Sequence, residues 1–237
     1  MLSAIEVGSD ANRAFMMHAR AAAHFTLGRF DAAGADAIAA FRLAEELGTR
    51  HRLTSWGVRG LVAVSRGDLD EAERCVDAGD EEFAATSSPH HYTLVRVGRA
   101  RLLEARGDVA AALALLAEVW SLIEAFAIDG EAPFIGPEFV RVAAVAGEPV
   151  AAAAVPARLA QLAATNRAVA RLEHLAAFTA GIVQGDAELA VAGARGLHGS
   201  PRHHEVATAE GEAGLLLAGR GRGDEGRGLI VAALHRF

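Results

Sequence analysis

A turn signature recurs six times at a nearly fixed period, and this restricts the fold more than anything else in the chain. Gly67 is followed by Asp68-Leu69-Asp70-Glu71-Ala72. Gly107 is followed by Asp108, with Ala112 five positions past the glycine; Gly147 by Glu148 and Ala152; Gly185 by Asp186 and Ala190. At Gly28 the acid comes late, at Asp31, ahead of Ala33, and at Gly223 the acid is Asp224 and Gly228 replaces the alanine. Successive glycines lie 39, 40, 40, 38 and 38 residues apart. Self-similarity at such a period marks a repeat architecture.

The unit has a physical logic. Glycine reaches φ > 0 without a Cβ clash and so ends a helix. The acid behind it accepts from the free N–H groups of the next helix and suits the positive end of its dipole. Asp68 with Glu71 fits a D-x-x-E form of the capping box. The small residue five past the glycine lets two helices approach closely. Each unit is therefore helix A, tight turn, helix B. One pair cannot bury its apolar face alone, so pairs stack.

Composition agrees. Hydrophobic residues make up 52% of the chain but aromatics only 5%. Alanine, the strongest helix former, dominates, and the β-branched and aromatic runs of strands are scarce. The chain has no lysine, so all 23 basic residues are arginine. A net charge of −7 argues against direct nucleic-acid binding, which relies on clustered positive charge. Cys75 is the sole cysteine and reads as a small buried residue of a helix B. The N-terminus lacks a basic n-region and a long apolar core, and no uncharged apolar stretch reaches ~18 residues, so the expected location is cytoplasmic with no membrane contact.

Along the chain, helix A and helix B fall at about 10–27 and 31–47, 50–66 and 69–85, 90–106 and 109–128, a short 138–146 and 150–164, 167–184 and 187–197, and 203–218 and 224–237. Residues 1–9 read as a lead-in or the end of an earlier helix, and 86–89 as an inter-repeat turn. In 109–128 one apolar stripe runs Val109, Leu113, Leu116, Trp120, Ile123 and a second runs Leu115, Val119, Leu122, Phe126, so this helix is expected to be covered on two sides. The segment 129–137, with two prolines and two glycines, is not expected to sustain a helix; it marks a bend or sub-boundary within a single domain over 1–237. Pro156 is expected to kink or shorten its helix. No polar terminal helix covers the last repeat, which the reading takes as the sign of an excised piece of a longer protein.

The Gly-Asp-x-x-x-Ala turn resembles the tetratricopeptide repeat (TPR). Trp56 and Gly60 fall where that family places its tryptophan and small residue, with Met17 and Ala21, and Arg96 and Ala100, in the neighbouring copies. The period exceeds the family's usual ~34 residues, so helices or inter-repeat loops are longer. The chain as a whole resembles the helical-repeat region of actinobacterial LuxR-type ATPase transcription regulators. Three stretches carry this likeness: 43–48 (Leu43 to Gly48), 60–65 (Gly60 to Ser65) and 207–218 (Ala207 to Ala218). The resemblance implies an all-α, right-handed TPR-like solenoid of about six helix hairpins. It also implies a non-catalytic binding and regulatory scaffold, the sensor or coupling segment of such a regulator. A stand-alone TPR-like protein–protein interaction adaptor is the alternative.

Specific chemistries find little support. Without lysine no phosphate-loop motif exists, and Gly219-Arg220-Gly221-Arg222-Gly223 reads as a helix–helix turn. His90-His91, His203-His204-Glu205 and the pair His18 and His24 lack the i, i+3 or i+4 spacing of metal ligands on a helix. The Arg-Gly-Asp triplets at 66–68 and 106–108 read as helix end, stop and cap. No G-x-S-x-G occurs, and no DNA-reading helix-turn-helix fits after Gly223. The expected protein is thus not an enzyme and carries no cofactor or metal. In the family register His18, Thr54, Arg101 and Glu104 lie near the concave side lined by helix A, where a protein or peptide binds. A small-molecule inducer and a homodimer through the open last repeat complete the expected partners.

Overall fold

The computed structural model describes residues 4–48, 52–86 and 89–236. Among these residues the regular structure is twelve α-helices and one 3-10 segment, with no strand. The helices are α1 (Ala4–Thr26), α2 (Phe30–Glu46), α3 (Arg52–Ser65), α4 (Leu69–Thr86), α5 (Pro89–Ala105), α6 (Val109–Ala125), α7 (Ala132–Val145), α8 (Ala154–Thr165), α9 (Ala170–Gln184), α10 (Ala187–Gly196), α11 (His203–Gly219) and α12 (Gly223–Leu234). The 3-10 segment, Pro149–Ala152, precedes α8. Odd-numbered helices are helix A of each repeat, even-numbered ones helix B.

By contacts the chain forms two compact units, Met1–Leu115 and Leu116–Phe237, divided inside α6. In the first, α1 packs on α2 and α3, α3 on α4 and α5, and α4 on α5. In the second, α9 packs on α7, α8 and α10, and α11 on α9, α10 and α12. Within the units α1, α3, α7 and α9 each touch their own partner and the next helix A, as stacked hairpins require.

The turns follow one geometry. Gly67 has φ 75°; its N–H donates to Val64 O at 2.9 Å, and the Asp68 N–H donates to Ala63 O at 3.0 Å. This is a Schellman closure, and it needs the left-handed region that glycine reaches freely. The same two bonds recur at Gly28, Gly107, Gly147 and Gly185. In the sixth hairpin the closing glycine is Gly221 (φ 81°), not Gly223, which begins α12. The sequence register was two residues late there because five residues alternate glycine and arginine. The corrected register restores the rule. Ala33, Ala72, Ala112, Ala152 and Ala190, each five past its glycine, are fully buried, and five past Gly221 stands buried Gly226. A Cβ on Gly226 would meet Gly214 O at 2.5 Å.

The acidic cap is less general than the glycine. Asp68, Asp108 and Asp186 accept from the N–H groups of Glu71, Ala111 and Leu189, each at 3.1 Å. Arg29, Glu148 and Arg222 stand at the equivalent places with no side-chain cap. The D-x-x-E box is only half formed. The Asp68 N–H is taken by Ala63 O, and Glu71 turns to Arg59 and Arg74.

Other boundaries differ from expectation. Helix α1 starts at Ala4, so 4–9 belong to it. Ser87 and Ser88 of the expected turn lie outside the described residues, and Pro89 already begins α5. The segment 129–137 does sustain a helix from Ala132 onward, through both prolines. Pro133 sits in the first turn, where its missing N–H is not needed. Pro137 is held inside the helix by an interaction described below. Pro156 shortens its helix as expected: the 3-10 segment ends at Ala152, and α8 restarts so that Pro156 lies in its first turn. Of the two stripes on α6, Leu113, Leu115, Leu116, Val119, Trp120 and Ile123 are buried, whereas Phe126 is exposed. Helix α6 ends with Ala127 at φ 50°, its N–H on Glu124 O and the Ile128 N–H on Ile123 O. An alanine there does a glycine's work at a cost of roughly 1 kcal/mol.

Two substitutions test this account of turns and close contacts. A Cβ on Gly193 would meet Phe178 Cα at 2.6 Å and His174 O at 2.8 Å. Gly193→Ala should therefore destabilise by about 1–3 kcal/mol, whereas Ala127→Gly should stabilise by ~1 kcal/mol. Urea melts followed by circular dichroism check both, and equal effects of the same sign would contradict the account.

Candidate binding surface

The four residues expected on the helix A layer all belong to the first unit, on α1, α3 and α5. Arg101 and Glu104 lie one turn apart on α5, and His18 lies against Ser55, the residue next to Thr54. His18 of α1 is only 3% exposed, and its Nδ1 lies 3.0 Å from Ser55 Oγ of α3, itself fully buried. The His18 ring joins two helices inside the unit. Thr54 and Glu104 are partly exposed. The Arg101 guanidinium lies 5.7 Å from the ring centroid of Phe25, so α5 reaches α1 at the C-terminal end of the layer. Gly57 faces Leu94 and Gly98 faces Leu61, which places Arg101 alongside Val64 of α3. Thr54 is ten residues earlier, about 15 Å along the helix.

Trp56 serves the interior. Its indole N–H donates to Glu82 Oε2 at 3.1 Å, its ring meets Phe41 edge-on at 4.7 Å, and Arg59 lies over it at 4.6 Å. Glu82 also accepts from Arg52 at 3.0 Å. Arg59 continues to Glu71, which accepts from Arg74 at 2.8 Å and from the Cys75 thiol at 3.4 Å. Burial and the Glu71 carboxylate push the fully buried Cys75 thiol up to about 12, so it behaves as the inert packing residue the sequence suggested. Burial works against ionisation of Glu71, but hydrogen bonds from Arg74 and Arg59 outweigh it and hold its carboxyl below the usual range. Among the described residues no three His, Cys, Asp or Glu side chains gather as metal ligands. The His90 and His91 side chains lie outside the described ones.

In both units arginines reach about one repeat back along the chain. Arg66 pairs with Asp31, and Arg106 makes a bidentate pair with Glu73 at 2.6 and 2.8 Å. Arg222 pairs with Glu188, and Arg220 donates to Gly185 O at 2.7 Å. The Arg-Gly-Asp triplets are thus staple, stop and cap. The Gly219–Gly223 cluster is a turn whose arginines grip the preceding hairpin.

The second unit holds two buried acids that composition alone conceals. Glu210 of α11 is 1% exposed and accepts from Arg236 at 2.6 and 2.9 Å, with His198 Nε2 at 2.8 Å. Glu138 of α7 is 4% exposed and pairs with Arg141 at 2.9 Å.

A third cluster explains Pro137. A proline inside a helix cannot donate to the carbonyl four residues back, here Pro133 O. Arg171 of α9 donates to Pro133 O instead, at 3.1 Å. Its Nε also donates to both Glu205 carboxylate oxygens, at 2.8 and 2.9 Å, and its Nη2 pairs with Glu205 as well. Arg171 therefore connects the N-terminal ends of three successive A helices, α7, α9 and α11. Nothing local in the sequence signals this, because the partners are 34 and 38 residues away.

No family model and no curated protein matches the chain. Among solved structures it is similar to the crystal structure of aspartyl phosphate phosphatase F from Bacillus subtilis, with a TM-score of 0.69 at 9% identity. The similarity covers 95% of this chain and 60% of that one, so the chain spans about three fifths of its neighbour's length. The neighbour is a TPR-like helical-repeat protein, and the fold here belongs to the same all-α class. No described helix is long and apolar enough to cross a membrane.

Two predictions follow from the polar networks. Because the folded Glu71 pKa lies below the unfolded value, its contribution is present above that value and lost as pH falls through the folded one. The parent chain should lose stability between about pH 5 and pH 3 more steeply than Glu71→Gln; urea melts at each pH measure this, and parallel profiles would contradict it. Arg171→Met leaves Pro133 O and Glu205 without their donor and should cost about 2 kcal/mol or more. Adding Glu205→Leu should recover part of the loss in the same melts, since the stranded carboxylate is then gone.

Proposed function

We propose that this chain acts as one helical-repeat domain, a scaffold that binds a protein or peptide along its helix A layer and does no chemistry of its own. The observation that supports this reading is the division of labour among the polar residues of the first unit. His18, Ser55 and Trp56 are consumed by the interior, while Thr54, Arg101 and Glu104 remain partly exposed on helices held by close glycine contacts. Rigid helices carrying spaced polar groups suit an extended partner better than a small substrate. The structural neighbour is named a phosphatase. A phosphatase reading has less support here, because the one thiol is buried and protonated and no acidic metal cluster stands among the described residues.

The finer reading makes the chain the coupling segment of a LuxR-type ATPase regulator, with a small-molecule inducer altering the stacking of its hairpins. It rests on the three sequence stretches. A phosphate-loop motif upstream in frame and a helix-turn-helix downstream would support it; stop codons on both sides would leave the stand-alone adaptor, acting alone or as a homodimer.

The binding surface is tested by charge reversal. Arg101→Glu combined with Glu104→Arg should reduce partner recovery by roughly tenfold in affinity capture from the native cell extract. The thermal midpoint should move by only a few degrees, since loss of the Phe25 contact costs ~1 kcal/mol. Unchanged recovery of the same partners would remove Arg101 and Glu104 from the surface.

A further inference from the structure

The arginine links between hairpins follow a positional rule, and in the first and last hairpins one half of it is unused. Arg222 stands one residue past Gly221 and pairs with Glu188, the third residue past Gly185. Arg66, just before Gly67, pairs with Asp31, the third residue past Gly28. The donor is thus an arginine beside a closing glycine, and the acceptor an acid three past the previous closing glycine. Arg29 stands one residue past Gly28 with φ −88° and ψ 66°, close to the −100° and 55° of Arg222. Asp224 is the third residue past Gly221. Arg29 and Asp224 are exposed, and among the described residues neither has an ion-pair partner.

The same two hairpins carry apolar side chains on their outward faces. Across α11 and α12, Gly214 faces Ile230. The next residues, Leu215 and Val231, project on the side away from fully buried Val206, with Leu234 one turn beyond Val231. On α1, Met16 lies opposite buried Ala14 and Ala21, and on α2, Ile38 lies across from buried Ala33 and Ala40. Met16, Ile38, Leu215, Val231 and Leu234 are between 42% and 67% exposed.

We propose that the outward face of the last hairpin receives the first hairpin of a second copy of this chain, with Arg29 of one copy paired to Asp224 of the other. Apolar contact supplies the attraction, and the arginine–acid pair sets the register as it does between hairpins of one chain. The contact joins unlike faces, so it is heterologous and leaves one face of each kind open to a further copy. It uses neither Arg101 nor Glu104, and it stands or falls apart from the helix A surface.

Sedimentation equilibrium of the full chain between about 10 µM and 1 mM should show a weight-average mass that rises with concentration. Met16→Glu closes the first face and Leu234→Glu the last; both positions are exposed, and circular dichroism checks that each variant keeps its helices. Each variant alone should be monomeric. An equimolar mixture should form a one-to-one complex and nothing larger, because one open face of each kind remains. Arg29→Glu should weaken self-association of the parent by roughly fivefold or more, and adding Asp224→Arg to the same chain should restore it. A parent that stays monomeric over the whole range would overturn the proposal. Dimers of Met16→Glu alone would mean that two last hairpins meet, and dimers of Leu234→Glu alone that two first hairpins meet; either result, or a mixture that stays monomeric, overturns the heterologous contact. Failure of the charge swap to restore association overturns the Arg29–Asp224 pairing.

Discussion

Every hairpin turn here depends on one backbone event, a single residue entering the left-handed region so that two N–H groups turn back onto the helix just ended. The six glycines from Gly28 to Gly221 do this with the same pair of hydrogen bonds. The direction in which the chain leaves one helix is then fixed. The residue five positions later faces the returning helix and has no room for a side chain larger than alanine. In the sixth hairpin even alanine is too large, and Gly226 sits against the Gly214 carbonyl. Turn and close contact are thus one constraint read at two positions, and this is why the pair recurs at the repeat period when little else does.

Alanine-rich interfaces of this kind bury little area per residue, so apolar burial alone secures each hairpin weakly. Arginine supplies cross-links between hairpins. Arg66, Arg106 and Arg222 all stand beside a closing glycine and all reach an acid about one repeat earlier. Exposed pairs contribute little individually. Their value lies in direction, because each fixes how far one hairpin slides along the last. The buried pairs at Glu138 and Glu210 carry larger consequences, since removing either partner strands a charge away from water.

The helix content, the hairpin count and most boundaries were legible because they depend on local chemistry: a glycine, a small residue, an apolar period. The misreadings have local causes too. Alternating glycine and arginine at 219–223 offered two registers, and only backbone φ chooses Gly221. The segment 129–137 looked incapable of helix because a proline rule applied residue by residue ignores a donor from elsewhere. The candidate surface was less legible. Nothing in the spacing of His18 says that Ser55 will take it inward, since the two are 37 residues apart on adjacent helices. Repeat register predicts which face a side chain occupies but not whether its neighbour satisfies it.

Pro137 shows how such a departure becomes an asset. Its missing N–H leaves Pro133 O in need of a donor, and an uncompensated carbonyl inside a packed unit is costly. Lysine could supply a charge, but not a planar group that meets a carbonyl and a carboxylate at once. Arg171 does both, which commits Glu205 to a fixed position at the start of α11. The first turn of that helix is then ordered by a contact made two hairpins away.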